Sequence, residues 1–297
     1  MSRFSRSRTR PLRSNRVSLA LALAVLAGSG EAARAQAFDH ATLDTVLALY
    51  VQDGRVDYTA LKFGRASLDR YLDQLAGVGA DEFAGWPEAE RIAYLINAYN
   101  AYVLETVIDH YPIEGSGFLK KLTSPSRFGL PKSSIRHIDG VFDRLRHDVA
   151  GTEMTLDDIE HATLRTDYDE PRIHFALVRA TVSCPPLREQ AYRGVRLDEQ
   201  LDDQGRRFLN DPRHNRFEIE RGRVHLSKLF DWYGEDFEQF AGEPGYARDP
   251  EVSGVLSFVS RYLRERVAEF LETGEYGVQF ESYDWTLNDQ AVAASTR

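Results

Sequence analysis

A predominantly helical α+β fold with a small antiparallel sheet is predicted on three observations. Apolar residues recur at helical spacing over most of the 297 residues, alternating runs are few and short, and those runs pair across tight turns instead of interleaving with helices as a doubly wound sheet requires. There is no internal repeat, no long low-complexity tract and no Pro/Gly-rich linker, so a single domain is expected.

Residues 1–37 stand apart from that domain. Arg3, Arg6, Arg8, Arg10, Arg13 and Arg16 precede an apolar run from Val17 to Ala27, and both Ala33-Arg34-Ala35 and Ala35-Gln36-Ala37 fit a small-x-small cleavage pattern. This predicts a signal peptide over 1–37 and a periplasmic or secreted protein, with no membrane insertion after the leader is removed. The formal charge of the whole chain is −9 and becomes −15 without the leader's seven arginines and one glutamate. So acidic a surface repels phosphate backbones and anionic lipid, which excludes nucleic-acid binding and leaves a small molecule or peptide as the expected partner. The sequence sets no oligomeric state and calls for no cofactor.

Residues 38–85 read as a helical extension packed on the main domain, because Leu43, Val46, Leu47 and Tyr50 share one face and Leu68, Tyr71, Leu72 and Leu75 another. The main domain is expected over 86–288, with a loose, small and polar tail over 289–297. Its strongest helix begins at Pro87, whose fixed φ suits a first turn, and ends near Tyr111 before Pro112. Asn97 and Asn100 lie one turn apart on a face otherwise aromatic and aliphatic. A buried amide without a partner costs about 1–3 kcal/mol, so each must bond something specific: a loop backbone, a catalytic imidazole or a substrate carbonyl.

Ile135 to Phe142 reads as a short hairpin around Asp139-Gly140. Thr155 and Asp158 then resemble a capping box opening a helix from Leu156 to Arg165, which carries Glu160 and His161. Pro171 to Val178 alternates as a strand, with His174 between the small Ala176 and Val178 on one face. Cys184, the only cysteine, precedes Pro185-Pro186 and a helical stretch Leu187 to Tyr192, which puts the sulfur at a helix N-cap, where the dipole favours a thiolate. Leu197 to Leu209 is an amphipathic helix, and Phe217–Ile219 pairs with Val224–Leu226 through Arg221-Gly222. Ser227 caps a helix containing Leu229 to Tyr233, a long helix spans Pro250 to Glu272, and an extended segment closes the domain around Val278 to Asn288.

Five of these stretches occur in order: Leu95-Ile96-Asn97-Ala98-Tyr99-Asn100-Ala101, Leu156-Asp157-Asp158-Ile159-Glu160-His161, Arg172-Ile173-His174-Phe175-Ala176-Leu177, Ser183-Cys184-Pro185-Pro186-Leu187 and Tyr283-Asp284-Trp285-Thr286-Leu287-Asn288. Together they resemble the family called domain of unknown function 547, most closely over residues 85–235. The resemblance implies no activity. Members often carry a second cysteine just upstream of the Ser-Cys-Pro element, and Val178-Arg179-Ala180 has none here, which argues against thiol–disulfide exchange.

The function expected from the residues is a cysteine-dependent amide hydrolase or acyltransferase. Cys184 attacks a carbonyl, His174 or His161 takes the proton, and Glu160, Asn97 or Asn100 holds the ring. Asn97, Asn100 and Arg172 are the candidate substrate-binding residues, with Arg172 and Arg179 suited to a carboxylate. A non-catalytic binding or scaffold module lined by Tyr94, Tyr99, Asn97 and Asn100 is the alternative. A metal site of His161, His174 and Cys184 is the third reading, although their spacing matches no zinc signature, so no metal ligands are assigned.

Overall fold

The computed structural model describes residues 37–115, 129–238, 246 and 250–294. The expected signal peptide lies, but for its last residue, outside the described residues. Four helices lead in: α1 (Ala41–Tyr50), α2 (Tyr58–Phe63), α3 (Ala66–Ala76) and α4 (Ala80–Ala84), with the two-residue strands β1 (Val51–Gln52) and β2 (Arg55–Val56) paired between the first two. Leu43, Val46 and Leu47 of α1 and Leu68, Tyr71, Leu72 and Leu75 of α3 are buried, as their spacing predicts.

They pack on α5 (Glu88–His110), which Pro87 immediately precedes and which Pro112 follows. From Ile92 to Leu104 every residue of α5 is buried, so the helix is enclosed on all faces and forms the axis of a first core. A second core lies around α6 (Leu197–Leu209), α7 (Pro250–Ser260), α8 (Glu265–Glu272) and a sheet, with Phe175, Phe208, Phe230 and Phe237 at its centre. In that sheet β5 (Arg216–Glu218) runs antiparallel to β6 (Arg223–Leu226) through the left-handed Gly222, as expected. A final strand over Gly277–Phe280 joins β6 in parallel.

Between residues 135 and 192 three local expectations fail, each for a physical reason. Ile135 to Phe142 is no hairpin: a 3-10 turn over Ile135–His137, capped by Ser134, precedes the Gly140 turn, and Arg144 and Leu145 fold back on the Gly140 carbonyl. The hairpin of this region comes later, β3 (His147–Val149) with β4 (Thr152–Met154), turning on Ala150 and Gly151 at positive φ. Pro171 to Val178 is not a strand but one helical turn, Ile173–Ala176, followed by extended backbone. It lacks a partner strand, and Asn100 takes that place, accepting from the Val178 N–H and donating to the Ala176 carbonyl at 2.9 Å each. No helix forms over Leu187–Tyr192: the Ala191 and Tyr192 N–H groups donate to the Asp44 and Asn97 side chains, and the Ala191 carbonyl accepts from Gln200, in place of a helical ladder.

The helix at Leu156 does form, with the Thr155 and Asp158 side chains each accepting from the other's backbone N–H at 3.0 and 2.9 Å. It widens into a π-helix over Asp158–Leu164. The long C-terminal helix is broken into α7 and α8. Residues 290–294, expected to be loose, form a short helix anchored by the Gln290 amide on the Tyr50 and Arg55 carbonyls.

Candidate active site

The Val178–Cys184 segment is held on edge by the chain's last extended stretch. The Val182 N–H donates to the Thr286 carbonyl at 2.8 Å, the Asn288 N–H to the Ala180 carbonyl at 3.2 Å, and the Asp284 N–H to the Ser183 hydroxyl at 2.8 Å. Ala180 adopts φ +54°, a left-handed conformation that disfavours any residue with a Cβ and therefore stores backbone strain. That turn aims the Arg179 N–H at the sulfur.

Cys184 Sγ accepts from the Arg179 N–H at 3.0 Å and from the Thr181 hydroxyl at 3.2 Å, and lies 3.0 Å from the Tyr283 hydroxyl. Thr181 and Tyr283 are themselves 2.7 Å apart. A filler thiol would face apolar carbon; this sulfur instead sits among a backbone N–H and two hydroxyls. The residue is buried, yet it lines a cleft of about 250 Å³ together with Thr181, Ser183 and Arg55. Burial, with the sulfur next in importance, drives the Tyr283 phenol well above its ordinary pKa, so it stays protonated and able to donate.

Behind this turn lies a charged cluster built on Arg179. Its guanidinium pairs with Glu160, which is 1% exposed, and donates to the Tyr233 hydroxyl at 2.5 Å. Tyr233 stacks on His174 at 4.2 Å between ring centres, and His174 Nε2 lies 2.7 Å from Asp236. Arg165 completes the set with bonds of 2.5 and 2.7 Å to Asp236. Burial pushes the Glu160 carboxyl up, but Arg179, then His174 and His161, bring it below its ordinary value. Burial likewise depresses His174, against the pull of Asp236, so the ring is a neutral donor to a carboxylate near pH 7. Burial opposes ionisation of Asp236 too, but the His174 and Arg165 hydrogen bonds hold its pKa far below the usual range. Within this cluster the Tyr99 hydroxyl and Glu160 Oε2 are buried without a hydrogen-bond partner.

The structure thus brings together three of the sequence-predicted residues, Glu160, His161 and His174, around Tyr233 and Arg179, with His161 the most exposed of them. It does not place either imidazole on the sulfur: the ring nitrogens of His174 and His161 face Asp236, and Asp157 and Arg165, respectively. The expected Cys–His pair is replaced by hydroxyl and amide donors, because the segment carrying His174 is helical and turns its ring into the second core. The same divergence separates the three proposed metal ligands, and among the described residues no three His, Cys, Asp or Glu side chains form a group that could hold a metal ion.

The substrate-binding assignments change as well. Arg172 is bound by Glu170, Asp198 and Asp202 and has no guanidinium edge left for a ligand carboxylate. Asn100 is spent on backbone, accepting from the Val178 N–H and donating to the Ala176 carbonyl, while Asn97 accepts from the Tyr192 N–H at 2.9 Å, donates to its carbonyl at 2.8 Å and lies 3.2 Å from His40 Nδ1, an imidazole away from the sulfur. Asn100→Ala is expected to lose about 2–4 kcal/mol of stability in urea denaturation, since it orphans a buried N–H and a buried carbonyl at once. Unchanged stability would show that the two groups find other partners.

Thr181, Tyr233, Asp236 and Tyr283 take site roles that the sequence did not assign to them, and Arg179, expected to suit a substrate carboxylate, instead holds the buried Glu160. For Tyr283 the signal was present, since it opens one of the five ordered stretches. The profile of a family described as a protein of unknown function, DUF547, matches residues 83–209, the span that carries Glu160, His174 and Cys184. No curated protein and no solved structure matches the chain. No helix among the described residues is long and apolar enough to cross a membrane.

Proposed function

Since residues 83–209 belong to the DUF547 family, whose description names no activity, we propose from the site itself that the protein is a cysteine-dependent acyl-transfer enzyme, an amide or (thio)ester hydrolase or an acyltransferase. The observation that carries this reading is the triple hydrogen-bonded sulfur on the wall of a cleft. The thiol proton passes to cleft water, Sγ attacks the substrate carbonyl carbon, and the carbonyl π pair moves to oxygen. The protonated Tyr283 hydroxyl, 3.0 Å from the sulfur, is the proposed donor to that oxyanion. Collapse expels the leaving group, which takes a proton from water, and a second water or an acceptor amine releases the acyl group from sulfur. Arg179, Glu160, Tyr233 and the His174–Asp236 pair act as positioning residues that fix the turn supplying the Arg179 N–H. The arginine-rich leader supports a periplasmic or secreted setting for this chemistry.

The test is adduct formation. An activated thioester should add one acyl group to the intact protein at Cys184, labile to hydroxylamine, and Cys184→Ser should lower turnover by about a thousandfold or more. Full hydrolysis by that variant would sink the reading. The non-catalytic binding module keeps one observation of its own, the absence of an imidazole on the sulfur, and would take first place if no adduct forms.

A further inference from the structure

Three arginines line the cleft beside Cys184. Two are neutralised: Arg213 makes bonds of 2.5 to 3.0 Å with Asp211, and Arg216 pairs with Glu281 at 2.8 Å. Among the described residues Arg55 has no carboxylate partner; its guanidinium makes one long bond, 3.4 Å, to the Asp289 carbonyl.

Arg55 is nevertheless fixed in position. It follows the tight turn of Asp53 (φ +51°) and Gly54 (φ +79°), and Gly54 abuts the cysteine segment so closely that a Cβ there would lie 2.4 Å from Pro186 Cβ. The Gly54 carbonyl accepts from the Asn288 amide at 3.2 Å, the Arg55 carbonyl from Gln290 at 3.1 Å, and the Val56 N–H donates to the Asn288 carbonyl at 2.9 Å. The backbone on either side of this guanidinium is therefore tied to the same C-terminal stretch that holds Cys184. A half-buried, uncompensated cation on a rigid cleft wall in a strongly acidic chain is an anion receptor in its geometry.

We infer that Arg55 binds the carboxylate of the substrate, so that the acyl group taken up by Cys184 carries one free carboxylate. The inference rests on the proposed acyl-transfer reading and names its substrate class. Asp53 and Asp284 on the same walls repel a second negative charge, which favours a monocarboxylate over a phosphate dianion. The cleft holds about eight waters' volume, enough for an acyl unit of amino-acid size.

Two measurements separate this inference from the chemistry beneath it. In the first, alkylation of Cys184 by iodoacetamide is followed in the full chain with N-acetylglycine, N-acetylglycinamide or inorganic phosphate present. N-acetylglycine should protect about tenfold better than the amide or phosphate, and Arg55→Gln should remove the difference while Arg55→Lys keeps part of it. Equal protection by acid and amide, better protection by phosphate, or selectivity unchanged in Arg55→Gln would overturn the assignment. In the second, thioesters of succinate and butyrate are compared, and the wild type should prefer the succinyl ester by about tenfold in kcat/KM. Acid-selective protection without any acyl adduct would leave Arg55 as the carboxylate receptor and remove only the covalent chemistry. Hydrolysis without acid selectivity would do the reverse.

Discussion

Arg179→Leu is expected to destabilise the protein at pH 7 by about 3–5 kcal/mol, because it strands the Glu160 carboxylate in a site 1% exposed with one oxygen already unpartnered. The loss should depend on pH in a definite sense. In the wild type, Arg179 and the neighbouring histidines outweigh burial and hold the Glu160 pKa below its unfolded value, so its contribution is present above the unfolded pKa and lost as pH falls through the folded one. In the variant, burial is opposed only by the weaker pull of His174 and His161, so the pKa rises and the protonated acid becomes the better-tolerated form. The deficit is therefore largest near neutrality and shrinks as pH drops through the carboxylate range. Urea denaturation at pH 7 and pH 4.5 measures it, and a deficit of equal size at both would show that Glu160 is not the source. The double variant Glu160→Leu with Arg179→Leu should be more stable at pH 7 than Arg179→Leu alone, since removing both charges leaves none stranded.

The helices were legible because burial writes itself into spacing. The run from Pro87 to Tyr111 and the amphipathic stretch from Leu197 to Leu209 are found where their patterns place them. The capping box at Thr155 is equally local, two side chains three residues apart that satisfy each other's backbone. What failed depended on partners far along the chain. Alternation at Ile173 to Val178 describes extended backbone only if a strand lies beside it, and an asparagine 78 positions away lies there instead. The proposed site shows the same division. Cys184 and its Ser-Cys-Pro-Pro setting were visible in the sequence, but the groups on its sulfur are a backbone amide presented by a left-handed alanine and a tyrosine 99 residues downstream. Neither carries a spacing signal. Nor does the pairing of Arg172 with three acids or the lack of an acid on Arg55, since both follow from which surfaces meet.

Acid should unfold this protein early, starting near pH 6.5 and well above the carboxylate range. Burial lowers the pKa of His40 to about 3 and of His147 and His214 to about 4, and it lowers His174 in the same direction. Each ring is enclosed by aromatic neighbours: His40 lies 2.7 Å from the Tyr71 hydroxyl, His147 stacks on Tyr102 at 4.3 Å, and His214 packs on Phe208 at 5.1 Å. A folded pKa below the unfolded value means the unfolded chain binds the proton first, so stability is full above about pH 6.5 and falls as pH drops toward the folded pKa values. Each such ring loses about 2 kcal/mol between pH 7 and pH 5. Glu105 works in the opposite sense, because burial raises its pKa to about 7 and the folded state gains as that group protonates, though its partial exposure reduces the effect. The net loss from His40, His147 and His214, after the opposing Glu105 contribution, is about 3–5 kcal/mol by pH 5, a large fraction of the 5–15 kcal/mol typical of a domain. The Asp236 carboxylate adds its own loss below this window, from the unfolded carboxyl value of about 4 downward, because its folded pKa is depressed. Potentiometry across urea unfolding at pH 5.5 should record an uptake of about two to three protons, and His147→Gln should reduce it by about one. An uptake near zero, with melting temperatures level between pH 7 and pH 5, would mean that these rings are already charged in the folded protein and that water reaches them.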